Sequence, residues 1–234
     1  VDAIVLSSIS YEGMVDAVEE AMDAGVEVVI IDSDVNVEDI PVRISTDNYN
    51  AGLIMGEKMA ELLDYKGQVG LVTFDADTAN ASQRVTGFVD AINGYEDMEI
   101  VCQLETVSSF DAAEQSTLDI LAQYPKVGGL ATFNEILTVG MSRAIQAEER
   151  EDLVCMGFDN NTQVVDYLER GILDAIVLQN QFAMGYLGAQ YALELLNGTK
   201  HENVQIDTGV NVVTRENMLD TDIQTLLYPF DLSD

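Results

Sequence analysis

Residues 3–33 read AIVLSSISYEGMVDAVEEAMDAGVEVVIIDS, and three patterns follow one another inside that stretch. Ala3–Leu6 is a short apolar run, Met14, Val18 and Met22 recur at helical spacing, and Val26–Ile31 is a second apolar run that ends on Asp32. The same alternation continues along the chain. Further apolar runs lie at Val42–Ile44, Val69–Phe74, Ile100–Leu104, Gly129–Thr132, Leu153–Gly157 and Ala175–Leu178. Between them, Leu53, Met59 and Leu63, and again Leu118, Leu121 and Tyr124, mark amphipathic helices. Strands nearly continuous in Val, Ile and Leu are buried on both faces, so the alternation predicts an α/β protein of doubly wound parallel sheets with helices on both sides.

At 234 residues the chain is long enough for one large α/β unit or for two lobes. No repeat, low-complexity tract or linker divides it, and only Pro41, Pro125 and Pro229 interrupt it as prolines. A two-lobed reading therefore rests on chain crossings, placed at the polar breaks Thr46-Asp47-Asn48, Gln179-Asn180-Gln181 and Asp207-Thr208-Gly209. The resulting lobes are 1–46 with 181–208, and 47–180 with 209–234.

Lys and Arg total 10 against 42 Asp and Glu, a formal charge of −32. Such a field repels phosphate backbones and anionic lipid headgroups, which argues against nucleic-acid or membrane-surface binding. With 47% hydrophobic residues the chain is nonetheless too apolar for the disordered class. Cys102 and Cys155 sit in apolar runs without CxxC spacing, so structural zinc has too few soft ligands, and no metal or cofactor is expected. They read as buried free thiols, though their spacing leaves a disulfide open. The one histidine, His201, lies in a turn-like polar stretch, away from any strand end. No GxGxxG, GxxxxGK[ST], GxSxG or HExxH motif occurs, and the pair Asp75 and Asp77 carries little weight in so acidic a chain. The reading is a non-enzyme. No run reaches the ~18 apolar residues of a membrane span and no leader opens the chain. Because the first residues already form a strand, the natural N-terminus is expected upstream.

In doubly wound sheets, ligands bind beyond the carboxyl ends of the strands. Those ends are polar here: Ser7-Ser8, Asp32-Ser33, Asn134-Glu135, Asp159-Asn160 and Gln179-Asn180. Ser, Asp and Asn at such points are also ordinary helix N-caps. Gln179 is a poor cap, which makes the set more telling than its members.

The stretches Ile44–Gly52 (ISTDNYNAG), Gln83–Phe88 (QRVTGF), Met156–Asp159 (MGFD), Gln179–Gly188 (QNQFAMGYLG) and Asp207–Val210 (DTGV), with Asp32 after Val28–Ile31 and the ending Leu226–Pro229, resemble in order those of sugar-binding proteins of ABC importers, closest to the ribose-binding type. The resemblance implies two flavodoxin-like lobes joined by three hinge crossings and closing on one sugar. Carried over by position, Ser7, Asp32 and Thr46 would serve the N-terminal lobe's side. Arg84, Asn134, Asp159 and Gln179 would form the polar clamp, with Phe110 and Phe158 as stacking faces, and Arg84 would neutralise Asp159. Carboxylate, amide and guanidinium groups suit vicinal hydroxyls, and an aromatic face suits the C–H side of a sugar. Ser33 stands where ribose binders usually carry arginine. The family also places two strands and two helices before the run that opens this chain, so an incomplete N-terminal lobe is expected, with edge-strand pairing to another chain as a consequence. The implied function is the solute-binding component of a carbohydrate importer, outside the cytoplasm as a periplasmic protein or surface lipoprotein, with a membrane permease and a monosaccharide as partners. The alternatives are the effector domain of a lactose-repressor-type regulator and a sensor domain feeding a kinase.

Overall fold

A computed structural model describes residues 1–74, 78–150 and 152–229. Asp75 and Asp77 lie outside the described residues. In chain order the elements are β1 (Ala3–Leu6), α1 (Val15–Asp23), β2 (Glu27–Ile31), β3 (Val42–Ser45), α2 (Asn48–Leu62), β4 (Gly67–Phe74), α3 (Ala79–Asn93), β5 (Met98–Thr106) and α4 (Phe110–Gln123). They continue with β6 (Val127–Thr132), α5 (Glu135–Glu148), β7 (Val154–Phe158), α6 (Thr162–Arg170), β8 (Ala175–Gln179), α7 (Gln181–Leu196), β9 (Val204–Asp207), β10 (Val210–Thr214) and α8 (Thr221–Leu227). Each of the eight apolar runs is a strand. The two others, β9 and β10, were not anticipated: β9 alternates half-buried and exposed residues, so it carries no apolar run.

The chain divides into two units, Val1–Asn48 with Ala76–Ser82 and Gln179–Val210, and Tyr49–Asp75 with Gln83–Leu178 and Asn211–Asp234. These boundaries stand two residues from those read in the sequence, earlier at the second crossing and later at the other two. The insertion of 76–82 into the first unit had no sequence signal.

The first unit holds a sheet of order β1-β2-β3-β9, parallel throughout. Its strands alternate faces as the pleat requires. Val28 and Ile30 of β2 pack with Val18 of α1, while Val29 packs on the other side with Val42, Ile44 and, from α7, Met184, Ala192 and Leu195. One strand thus serves two cores, the signature of a sheet wound on both sides. In the second unit the order is β10-β8-β7-β6-β4-β5. The ladders from β5 to β8 are parallel, and β8 is buried along its whole length. Its larger core joins Leu130, Leu137, Met141, Cys155, Ile176 and Leu178 to the helices. Cys102 and Cys155 are free thiols, and burial pushes the Cys155 thiol far up from its usual range.

Two helices of this unit meet at backbone distance. A Cβ on Gly52 of α2 would stand 2.1 Å from the Arg84 carbonyl oxygen of α3, and one on Gly87 would stand 2.0 Å from the Tyr49 carbonyl oxygen. Only glycine admits that approach, and it sets where Arg84 leaves its helix. Among the described residues no helix is long and apolar enough to cross a membrane.

Candidate ligand-binding site

Ser7, Asp32, Thr46, Asn134, Asp159 and Gln179 stand at or just beyond the carboxyl ends of strands, and within each unit they form small connected groups. In the second unit the centre is Arg84. Its side chain is only 2% exposed, and its Nη1 donates to the Phe133 carbonyl oxygen at 3.0 Å. A buried guanidinium needs a counter-charge, and Asp159 supplies it: Arg84 Nη1 and Asp159 Oδ2 are 3.9 Å apart. The Arg84 guanidinium carbon also lies 3.8 Å from the centre of the Phe158 ring, a cation–π contact in a desolvated setting.

Asp159 follows β7 with φ +65°, and Asp32 follows β2 with φ +58°. Both are left-handed positions that a non-glycine residue rarely adopts, and such strain gathers at functional sites. The two units build them alike. The Asp32 amide donates to the Ile44 carbonyl of the neighbouring β3 at 2.9 Å, and the Asp159 amide donates to the Val177 carbonyl of the neighbouring β8 at 2.9 Å. Asp159 does not cap a helix. The N-cap of α6 is Asn161, whose Oδ1 accepts from the Val164 amide at 2.8 Å.

Asn134 does cap. Its Oδ1 accepts from the Leu137 amide at 2.8 Å at the start of α5, while its Nδ2 donates to Ser108 Oγ at 3.0 Å. Gln179 leaves the cap of α7 to Asn180 and instead accepts from Thr46 Oγ1 at 2.8 Å, both side chains buried. Ser7, exposed, donates to Asp32 Oδ2 at 2.9 Å. Ser33 is buried, and its hydroxyl has no hydrogen-bond partner among the described residues.

The aromatic expectation needs correction at Phe158. Phe158 is 0% exposed and one face is covered by Arg84, so it supports the guanidinium and offers no stacking face. Phe110 is half-buried against the core, with the Arg143 guanidinium carbon 4.8 Å from its ring centre. Arg84 thus occupies the π-face of Phe158 that the sequence reading reserved for a ligand. Among the described residues no group of three His, Cys, Asp or Glu side chains is placed to hold a metal.

What the site can do follows from its chemistry. A buried guanidinium ion-paired to a carboxylate offers donors and acceptors side by side, the arrangement that reads vicinal hydroxyls. Sequence reasoning missed the pairing of Thr46 with Gln179 and the hydroxyl of Thr138, described below. The only signal for the α6 cap was an Asn three residues ahead of Val164.

A two-unit fold of parallel sheets with polar groups at the strand ends defines a periplasmic-binding class of protein. The family described as the periplasmic binding protein domain matches residues 1–200, and the chain belongs to it. Among curated relatives, a D-apiose import binding protein of Actinobacillus succinogenes is 33% identical over 180 residues, 76% of this chain and 58% of the relative. A D-ribose/D-allose-binding protein of Pseudomonas aeruginosa is 28% identical over 224 residues, 92% of this chain and 70% of the relative. The chain spans 58% and 57% of the length of the two D-apiose import binding proteins it matches. Among solved structures, an ABC transporter solute binding protein from Agrobacterium vitis with bound D-fucose has a TM-score of 0.92 at 34% identity, covering 97% of this chain and 80% of that one. A carbohydrate transporter solute binding protein from Agrobacterium radiobacter in complex with D-arabinose has a TM-score of 0.92 at 27% identity, covering 97% and 78%.

Proposed function

We propose that this chain is the sugar-binding component of an ABC-type carbohydrate importer, taking one neutral monosaccharide, and that it is a binding module without catalysis. The observation that carries the reading is the buried Arg84–Asp159 pair at the end of β7, held by Phe158 beneath the guanidinium. Ser7 with Asp32, Thr46 with Gln179, and Asn134 supply further hydroxyl and amide groups. The relatives' names support import of sugars over transcriptional sensing. Their role in import also supports an extracytoplasmic place for this chain and a membrane permease as its partner. An anionic ligand is disfavoured by the charge of −32, and the same field argues against nucleic acid as a partner. Thermal-shift screening against a panel of pentoses and hexoses, followed by calorimetry, tests the reading. A stoichiometric complex with at least one neutral sugar is expected; no shift with any of them would overturn it.

We further infer that the outer edge of β1 pairs with a strand of another chain. β1 has β2 on one side and no strand on the other among the described residues, and neither proline, lysine nor bulge blunts it. Beside it α7 exposes Phe182, Tyr186, Leu193 and Leu196 and carries one charged residue, Glu194, in its sixteen. In so acidic a molecule, that is a face where like charges do not oppose association. Sedimentation velocity should show self-association that Val5→Lys with Tyr186→Lys abolishes; a monomer at all concentrations would contradict the inference.

A further inference from the structure

Thr138 belongs to the first turn of α5 and is fully buried. Its hydroxyl has three partners with distinct roles. Thr138 Oγ1 donates to the Asn134 carbonyl oxygen at 2.7 Å, the backward bond that a helical threonine commonly makes. It accepts from the Phe158 amide at 3.1 Å and stands 3.0 Å from Thr132 Oγ1. A hydroxyl has one proton to give and two lone pairs, so with Thr132 as a donor every capacity of this group is used. The Phe158 carbonyl, at 3.3 Å, then has no Thr138 proton left to share.

The place of the Phe158 amide explains why it needs this partner. The ladder between β6 and β7 ends at Ala131 opposite Met156, two residues before Phe158, so no strand carbonyl follows on that side. A side-chain oxygen takes over. The methyl of Thr138 fixes the preceding residue: a Cβ on Gly157 would stand 2.2 Å from Thr138 Cγ2, so helix and strand touch with nothing between. One residue later the chain turns into the left-handed conformation of Asp159 at φ +65°.

We propose that Thr138 is a positioning residue for the sugar anchors. Its hydroxyl ties the end of β7 to the start of α5, which sets Asn134, Phe158 with the arginine it supports, and Asp159 in one fixed relation. The proposal rests on the sugar-binding reading for its functional consequence, but its geometric half stands without a ligand. Thr138→Val keeps the shape and removes the hydroxyl, leaving the Phe158 amide and the Thr132 hydroxyl unpaired. Thr138→Ser keeps the hydroxyl and gives up only the methyl.

The test uses the whole chain in three forms: wild type, the valine variant and the serine variant. Hydrogen exchange of the Phe158 and Asp159 amides, read by nuclear magnetic resonance without ligand, should speed up at least tenfold in the valine variant and little in the serine variant. Calorimetry with D-fucose and D-arabinose, well below the melting temperature, should show at least a tenfold loss of affinity in the valine variant and recovery to within about threefold in the serine variant. A merely structural threonine would lower the melting temperature and leave the affinity of the folded protein unchanged, and that outcome overturns the proposal. Unchanged protection of the two amides overturns it as well. If the wild type binds neither sugar, the best binder of the panel replaces them, and if it binds none the sugar reading is overturned while the exchange measurement still decides the geometry. Thr138→Ala, which also lacks the hydroxyl, replaces the valine variant if that one does not fold.

Discussion

In the proposed site, Asp159 and Arg84 divide the work between them. The carboxylate sits on a left-handed backbone that Asn tolerates nearly as well, but Asp159→Asn leaves the buried Arg84 charge without its counter-charge, so the variant should fold with a lowered melting temperature. Removing the charge weakens charge-assisted bonds, which are worth about 1.5–3 kcal/mol, so sugar affinity should fall about tenfold or more by calorimetry. Arg84→Ala should lose both affinity and stability, since the guanidinium fills space against Phe158 and holds the Phe133 carbonyl. Asp174 tests electrostatics away from the site. Burial raises its pKa above the ordinary value, against the opposing pull of the Cys155 amide and the Arg215 charge. An acid whose pKa is raised by folding costs stability as pH rises from its unfolded value through its folded one, and the cost stays constant above. Asp174→Asn keeps an acceptor for the Cys155 amide, so its melting temperature should gain on the wild type as pH rises through that window. A variant that tracks the wild type at every pH would show that the buried carboxylate costs nothing.

At the scale of elements, the crossing of α2 and α3 and the winding of the first sheet are the features that place the site. Gly87→Ala puts a Cβ 2.0 Å from the Tyr49 carbonyl and must push the helices apart. Overpacking of this kind costs about 1–3 kcal/mol, so urea denaturation should shift to lower concentration, and sugar affinity should fall with it because Arg84 moves. Gly185 in α7 is the control, since nothing lies within 4 Å of its Cβ direction. There alanine should stabilise by about 0.5–1 kcal/mol through helix propensity alone. These elements also show what was legible beforehand. Strands buried on both faces, such as β2 and β8, announce themselves as runs of Val and Ile, whereas β9 with its alternate exposed residues does not. Aspartates and amides at strand ends were visible as residue types. Whether each one caps a helix was not, because Asp159 and Asn161 differ by a turn of backbone that no side chain spells out. The aromatic face of Phe158 was misread for a related reason: the arginine that covers it comes from α3.

Across the whole molecule the dominant quantity is the charge of −32. Exposed acids repel one another within about a Debye length, ~10 Å in 0.1 M salt, and the folded state concentrates them more than the unfolded chain does. The melting temperature should therefore rise steadily with sodium chloride up to about 0.5 M; a flat or falling curve would mean that local pairs such as Arg43–Asp34 outweigh the general repulsion. The same field favours a neutral ligand, and membership of the periplasmic binding protein family is consistent with one. The central claim is that the Arg84–Asp159 pair holds the sugar, and titration calorimetry of wild type and Asp159→Asn against the best sugar from the panel tests it most directly. Binding at one site per chain by the wild type, weakened about tenfold or more in the variant at a temperature where both proteins are folded, is the predicted result. Equal affinities in the two proteins would contradict it.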